Sequence, residues 1–270
     1  MKVDNQNWYS LEIFGSESNR EIFIAYMYDM VAGVTDNNNS SIIYFDKEHY
    51  EKVKTSIESD TLISDWKWSE IEEENWNKAC TDFFKPIIIS DEIQVLPSWN
   101  EPNDNYTNII INPALAFGTG HHETTYMMIE SMLSYDFNNK SVLDIGTGSG
   151  ILSILAKKKG AKSIYAIDND ILTHNNFYEN LDLNDISDIE FDVKDCFKIK
   201  NFEYDYILAN INLNVLKKLI PNIVNKGTIL IISGILNTDE DVVARTLEDS
   251  NKEIKNIFRK NEWLCFVVQL

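Results

Sequence analysis

The sequence predicts an α/β protein in which a parallel β-sheet carries helices on both faces and is preceded by a small α+β unit. Three observations carry that reading. Strand-like runs at 141–145, 163–167, 189–193, 204–209 and 227–232 alternate with amphipathic stretches about a dozen residues long, the pattern of repeated strand–helix crossovers. The first of these runs ends in a glycine-rich turn that leads directly into a helix. The C-terminal stretch breaks the alternation: Glu253 to Lys260 and Trp263 to Val268 are two β-like runs joined by a short polar turn, which predicts an antiparallel hairpin closing the sheet.

Upstream, residues 8–13 alternate as a strand, and the spacing of Ile22, Phe23, Tyr26, Met27 and Met30 predicts a helix that Gly33 would stop. Asn37 to Ser41 reads as a polar loop, Ile42 to Phe45 as a second strand, and Asp46 as the cap of a helix carrying Tyr50, Val53 and Ile57. Residues 66–82 are acidic and aromatic, and Pro86 to Asp104 holds three of the five prolines, as an extended connector would. The expected domains are therefore an α+β unit at 1–65, a linker at 66–105 and the parallel-sheet domain at 106–270.

With 270 residues the chain can bury a core without disulfides or metals, and 44% hydrophobic residues exclude wholesale disorder. The balance of 24 Lys and Arg against 43 Asp and Glu leaves a net charge of −19, which repels nucleic-acid phosphates and favours basic partners. Direct nucleic-acid binding is not expected. Cys80, Cys196 and Cys265 are scattered and form no C-x-x-C pair, so neither a disulfide framework nor a zinc knuckle is indicated. The first ten residues lack a secretory pattern and no apolar run approaches the roughly 18 residues of a membrane helix. A cytoplasmic protein without membrane contact is the expectation.

The strongest chemical signal is Asp144-Ile145-Gly146-Thr147-Gly148-Ser149-Gly150, a strand end whose glycines let the backbone approach a ligand while the next helix offers unpaired N–H groups. A nucleotide-like ligand is implied. The spacing is G-x-G-x-G, and Ile151 stands where the dinucleotide fingerprint has its third glycine, which weakens a nicotinamide reading. Asp168 ends the next strand at the distance expected of a ribose-binding carboxylate, and Asp195, after the third, could reach an adenine edge. Together these describe an adenosine site.

An acid before the glycines, G-x-G-x-G, a later ribose acid and the terminal hairpin resemble the S-adenosylmethionine-binding pattern of the seven-stranded, Rossmann-like methyltransferases. A second run, Asn112-Pro113-Ala114-Leu115-Ala116-Phe117-Gly118-Thr119-Gly120-His121-His122-Glu123-Thr124-Thr125, is similar to the DPGLAFGTGTHPTT stretch of the PrmA family, which methylates large-subunit ribosomal protein eleven. Glu74-Asn75-Trp76, Lys85-Pro86, Tyr206 to Ile211 and Ile232 to Leu236 agree with it, so the resemblance spans roughly residues 70 to 270. It implies that Thr125 closes the upstream loop, Gly146 and Gly148 line the cofactor turn, Asp168 takes the ribose and Asn210 faces the reacting methyl. It further implies S-adenosylmethionine as cofactor, a basic ribosomal protein as partner, and a small N-terminal substrate-recognition domain.

The chain departs from the family pattern at His121, at Glu123 and over Asn212-Leu213-Asn214-Val215. Another protein or a small amine as acceptor therefore stays open, as does a non-catalytic S-adenosylmethionine binder. The Asn-Pro-Pro-Tyr motif of enzymes acting on planar nitrogens is missing, because Asn210 is followed by Ile-Asn-Leu, and an aliphatic amine is the expected acceptor. Adjacent side chains of one loop rarely converge on a metal, so His121-His122-Glu123 is not read as a metal site, and no catalytic base is assigned.

Overall fold

The computed structural model describes residues 8–27, 30–31, 33–37, 39–71, 85–112, 120 and 122–270. They fall into two compact units, residues 1–85 and 86–270.

The first unit is an antiparallel sheet of β1 (Trp8–Phe14), β2 (Gly33–Asp36), β3 (Ser40–Asp46) and β4 (Asp65–Ile71) in the order β2-β3-β1-β4, with α1 (Glu17–Tyr26) and α2 (Tyr50–Ser59). Period-2 alternation on β1 and β3 puts Leu11, Ile13, Ile43 and Phe45 on one face, where they meet Phe23 and Ile24 of α1 and Val53 and Ile57 of α2. Two expectations change. The first helix stops at Tyr26, and Gly33, expected as its stop, opens a strand paired with β3. Asp46 lies a turn ahead of α2 and accepts from the backbone N–H of His49, which holds the N-cap position.

The expected linker is also divided. Trp66 and Trp68 alternate with Lys67 and Ser69 along β4 and pack against the first core. In the second unit β5 (Ile87–Ile89), β6 (Ile93–Leu96) and β7 (Thr107–Ile110) form a small sheet, β5 antiparallel and β7 parallel to β6. Its prolines punctuate apolar strands where a connector was expected: Pro86 precedes β5 and Pro97 follows β6.

The main sheet of the second unit has seven strands: β8 (Ser141–Ile145), β9 (Ser163–Asp168), β10 (Glu190–Val193), β11 (Tyr206–Asn210), β12 (Ile229–Leu236), β13 (Glu253–Lys260) and β14 (Trp263–Gln269). Their order is β10-β9-β8-β11-β12-β14-β13, with β14 antiparallel to both neighbours and the first five parallel. This is the seven-stranded α/β architecture the sequence predicts, hairpin included. The helices are α3 (Glu123–Leu133), α4 (Ile151–Lys158), α5 (Thr173–Leu183), α6 (Leu213–Leu219) and α7 (Glu240–Asp249).

Alternation along the strands assigns the two faces. Leu143, Ile145, Ile207, Ala209, Leu264 and Phe266 join Leu216 and Leu219 of α6 and Val243 and Leu247 of α7 in one core. The intervening residues point the other way, where Cys265 Sγ lies 3.7 Å from Met128 Sδ of α3. Asp144 and Asn210 belong to that second face. The chain order reverses between β8 and β11, and such a switch point opens a crevice beyond the carboxyl ends of the strands.

Candidate active site

The glycine turn leaves β8 at that crevice. Gly146, Gly148 and Gly150 all have positive φ (71°, 52° and 83°), and Gly150 occupies the N-cap position of α4. The N–H groups of Gly146 and Thr147 both donate to the carbonyl of Ile167 (2.9 and 3.0 Å), tying the turn to β9. At Gly146 a Cβ would stand 2.3 Å from Ile211 Cγ2, so the turn is built against the residue that follows Asn210. Gly148 and Asp168 are brought together: the Gly148 N–H donates to Asp168 Oδ2 (2.9 Å), while Oδ1 accepts from the N–H of Asp170 (3.0 Å).

Two buried carboxylates flank the turn. Asp144 Oδ2 accepts from the hydroxyls of Thr147 (2.7 Å) and Ser153 (2.6 Å), and Oδ1 is buried with no partner. Burial pushes the Asp144 carboxyl up to about 6 in spite of those two donors. Burial raises Asp168 as well, against the opposing pull of the Asp170 and Gly148 N–H groups. The segments that carry these residues, 122–133, 141–156, 163–176 and 206–215, contain no Lys or Arg, and Lys194, whose backbone N–H donates to the Asp168 carbonyl, places its ammonium on the Tyr165 hydroxyl (2.9 Å). Such a site favours a ligand that brings positive charge and disfavours the pyrophosphate of a dinucleotide.

On the far side of the turn stands Asn210, the last residue of β11 and 8% exposed. Its Nδ2 donates to Thr124 Oγ1 (3.2 Å) and Thr125 Oγ1 (3.3 Å) at the start of α3, and its Oδ1 is buried with no partner. Asn210 does not cap the next helix. Asn212 does, accepting from the Val215 N–H (3.1 Å), which gives one of the departures from the family pattern a local structural role. Thr125 thus meets Asn210, Gly148 meets Asp168, and Gly146 is built against Ile211, next to Asn210.

Sequence reasoning missed two parts of the site. Thr124 shares Asn210 with Thr125, and His122 caps α3, its Nδ1 2.8 Å from Thr124 Oγ1. Asn176, Asn180 and Asn184 form a buried ladder along α5. Asn184 receives the Ile110 N–H (3.0 Å) and donates to the Ile110 carbonyl (2.6 Å), so its amide imitates a further strand. Asn180 accepts from the Asn112 N–H (2.7 Å) and donates to the Ser149 carbonyl (2.8 Å), and Asn176 donates to the Asn112 carbonyl (3.2 Å). The ladder joins the glycine turn to the chain entering the upstream motif. Its signal was legible: three asparagines four residues apart share one helix face.

Asp195 uses one carboxylate oxygen to cap a short turn through the Phe197 N–H (2.9 Å). Pro113 to Thr119, His121, Glu74 to Trp76, Phe83 and Phe84 lie outside the described residues. Gly120 packs beside Val95 and Ile87 of the small sheet and Ile151 of α4, so the upstream motif passes the start of the helix that follows the glycine turn.

The family described as "Ribosomal protein L11 methyltransferase (PrmA)" matches residues 10–270. A ribosomal protein L11 methyltransferase of Prochlorococcus marinus is 38% identical over 218 residues, covering 76% of this chain and 72% of the relative. One from Clostridium perfringens is 31% identical over 243 residues, covering 87% and 76%. The crystal structure of a ribosomal protein L11 methylase from Lactobacillus delbrueckii subsp. bulgaricus superposes with a TM-score of 0.64 at 29% identity, covering 69% of this chain and 98% of that one.

Proposed function

The chain belongs to the PrmA family of ribosomal protein L11 methyltransferases, and on that premise we propose how its residues carry S-adenosylmethionine-dependent methylation of that protein. Thr125, Gly146, Gly148, Asp168 and Asn210 hold the cofactor, with Asp168 taking the ribose hydroxyls. The residues present suit such a ligand, because Asp144 and Asp168 are buried carboxylates that pair with no basic side chain among the described residues, and a sulfonium and an ammonium provide what they lack. When bound, S-adenosylmethionine supplies an electrophilic methyl group.

The acceptor is an aliphatic amine, a lysine side chain or an N-terminal amine of the substrate. It must be neutral to react, and reference values near 10.4 for Lys and about 7.7–8.0 for an α-amine mean that only a minority is neutral at pH 7. A carboxylate touching the amine would favour the protonated form, whereas a neutral acceptor orients it without that penalty. Asn210 Oδ1 is such an acceptor, and this buried, unpartnered oxygen beside the glycine turn is the observation that carries the proposal. Holding the amine in line for displacement can supply up to roughly 7–11 kcal/mol of the barrier reduction. The N-terminal unit recognises the substrate, and the net charge of −19 steers a basic ribosomal protein at a distance. An enzyme that acts on a ribosomal protein is expected in the cytoplasm. No helix among the described residues is long and apolar enough to cross a membrane.

Incubation of the purified protein with ribosomal protein L11 and isotopically labelled S-adenosylmethionine, followed by peptide mass spectrometry, tests this. Label on amines of L11 is expected, with Asn210→Ala abolishing it. Label confined to a different protein or a small amine overturns the substrate assignment, and full transfer by Asn210→Ala overturns the role of Asn210.

A further inference from the structure

An amide side chain has two ends of nearly the same shape and opposite polarity. Outward Oδ1 makes Asn210 an acceptor for an amine N–H; outward Nδ2 makes it a donor that competes for the amine lone pair. The shape of the amide alone does not choose between them. The threonine hydroxyls that hold the inner end cannot choose either, since a hydroxyl donates as readily as it accepts.

The choice is made one residue further away. His122 Nδ1 lies 3.3 Å from the Thr124 N–H and 2.8 Å from Thr124 Oγ1. A backbone N–H can only donate, so Nδ1 carries no proton and accepts. The Thr124 hydroxyl, at the shorter distance, then also donates to Nδ1. Its single proton is consumed, and Thr124 Oγ1 is left able only to accept. Asn210 must therefore turn Nδ2 toward it, and Oδ1 faces away from α3. Packing holds the ring in place, since its edge meets Trp263 of β14 at 4.9 Å between centroids. The hairpin is fastened to α3 by Lys260 over the Tyr126 ring (4.2 Å) and by Asn261 donating to Glu123 Oε1 (3.2 Å). Desolvation lowers the ring pKa to about 4, which leaves it neutral at pH 7 with its proton on Nε2.

We propose that His122 is a positioning residue that sets the polarity of the amine site, by taking the Thr124 hydroxyl proton at Nδ1 and so forcing Asn210 to present its carbonyl oxygen. This rests on the preceding assignment of Asn210 as amine acceptor. The hydrogen-bond order itself, His122 to Thr124 to Asn210, does not.

Two measurements test it. Imidazole nitrogen spectra of the 15N-labelled protein, with four histidines to assign, should show His122 as the Nε2–H form with an accepting Nδ1, and Thr124→Val should move Nδ1 toward the free imine position. A protonated Nδ1, or a Thr124→Val spectrum unchanged at His122, overturns the proposal whether or not L11 is the substrate. In methylation assays His122→Ala should lower kcat about tenfold or more, the cost of one lost interaction, and His122→Asn, whose amide oxygen still caps the helix and accepts, should recover to within about threefold of wild type. The double variant His122→Ala/Thr124→Val should be no worse than about threefold below Thr124→Val alone, because both break one relay. Multiplying losses, or a His122→Asn variant as slow as His122→Ala at equal thermal stability, overturns it. Failure of the wild-type protein to methylate L11 would instead refute the substrate assignment and leave the spectra to decide the relay.

Discussion

The two units treat buried polarity differently. In the first, Arg20 is 4% exposed, yet its guanidinium is matched: Nε donates to Ser41 Oγ (2.9 Å), and the terminal nitrogens to the carbonyls of Gly15 (2.6 Å) and Asn37 (3.5 Å). No buried side-chain nitrogen or oxygen among the described residues of that unit lacks a partner. In the second unit two such atoms do, Asp144 Oδ1 and Asn210 Oδ1, and they lie on one face of adjacent strands beside the same glycine turn. An unpaired buried polar atom costs about 1–3 kcal/mol, so two beside one turn concentrate a cost that a hydrogen-bond donor or cation from a ligand would relieve. Arg20 stabilises a fold, whereas Asp144 and Asn210 hold capacity in reserve.

That contrast breaks most sharply at Gly146. An alanine there combines φ of 71° with a Cβ 2.3 Å from Ile211 Cγ2, and strain plus displacement of Ile211 should raise the S-adenosylmethionine Kd about a hundredfold or more by calorimetric titration. An unchanged Kd would mean the turn does not form the cofactor site. Asp168→Asn keeps an acceptor for the Gly148 N–H but loses the charge, and the Kd should rise about tenfold to a hundredfold, the worth of charge-assisted hydrogen bonds. Nicotinamide dinucleotide should not bind either form.

Asn180→Ala acts at one remove. It strips partners from the Ser149 carbonyl and the Asn112 N–H, and should lower stability by about 2–4 kcal/mol in urea denaturation while raising the cofactor Kd only several-fold. If Kd rises as far as for Gly146→Ala, the ladder is part of the binding surface rather than its support.

What could be read in advance divides along the same line. Period-2 and helical alternation made the seven strands and the hairpin legible, and glycine spacing exposed the turn with Asp168. Residues of one letter and many uses stayed hidden. Gly33 reads equally as a helix stop and as the start of a strand, and only pairing with β3 decides it. The linker signal at 66–105 came from prolines, which mark strand ends as often as connectors, while the strands between them are only three and four residues long. His122 and Thr124 were visible as letters of a motif, but their hydrogen-bond order depends on β11 approaching α3, a contact 86 residues apart in sequence.

The smallest effect is a pair of opposed titrations. The ordinary histidine value of 6.5 falls to about 4 for His122 in the folded protein, so the folded state binds its proton less readily than the unfolded chain. Its contribution is fully present above pH 6.5 and is lost as pH falls toward 4; between pH 7 and 5 the loss is about 2 kcal/mol. Asp144 moves the other way, from 3.8 up to about 6, so its contribution is present below 3.8 and lost as pH rises through 6; acidification from pH 7 to 5 returns about 1 kcal/mol. The two largely offset, and the wild-type profile across this window conceals both. Asp144→Asn should lose about 1 kcal/mol more than wild type between pH 7 and 5, and His122→Asn about 2 kcal/mol less, by urea denaturation at each pH. Bound S-adenosylmethionine should flatten the Asp144 difference, because a nearby cation stabilises the carboxylate and returns its pKa toward the ordinary range. If the Asp144→Asn profile parallels wild type both with and without the cofactor, the crevice is not the charge-deficient site that sets the second unit apart from the first.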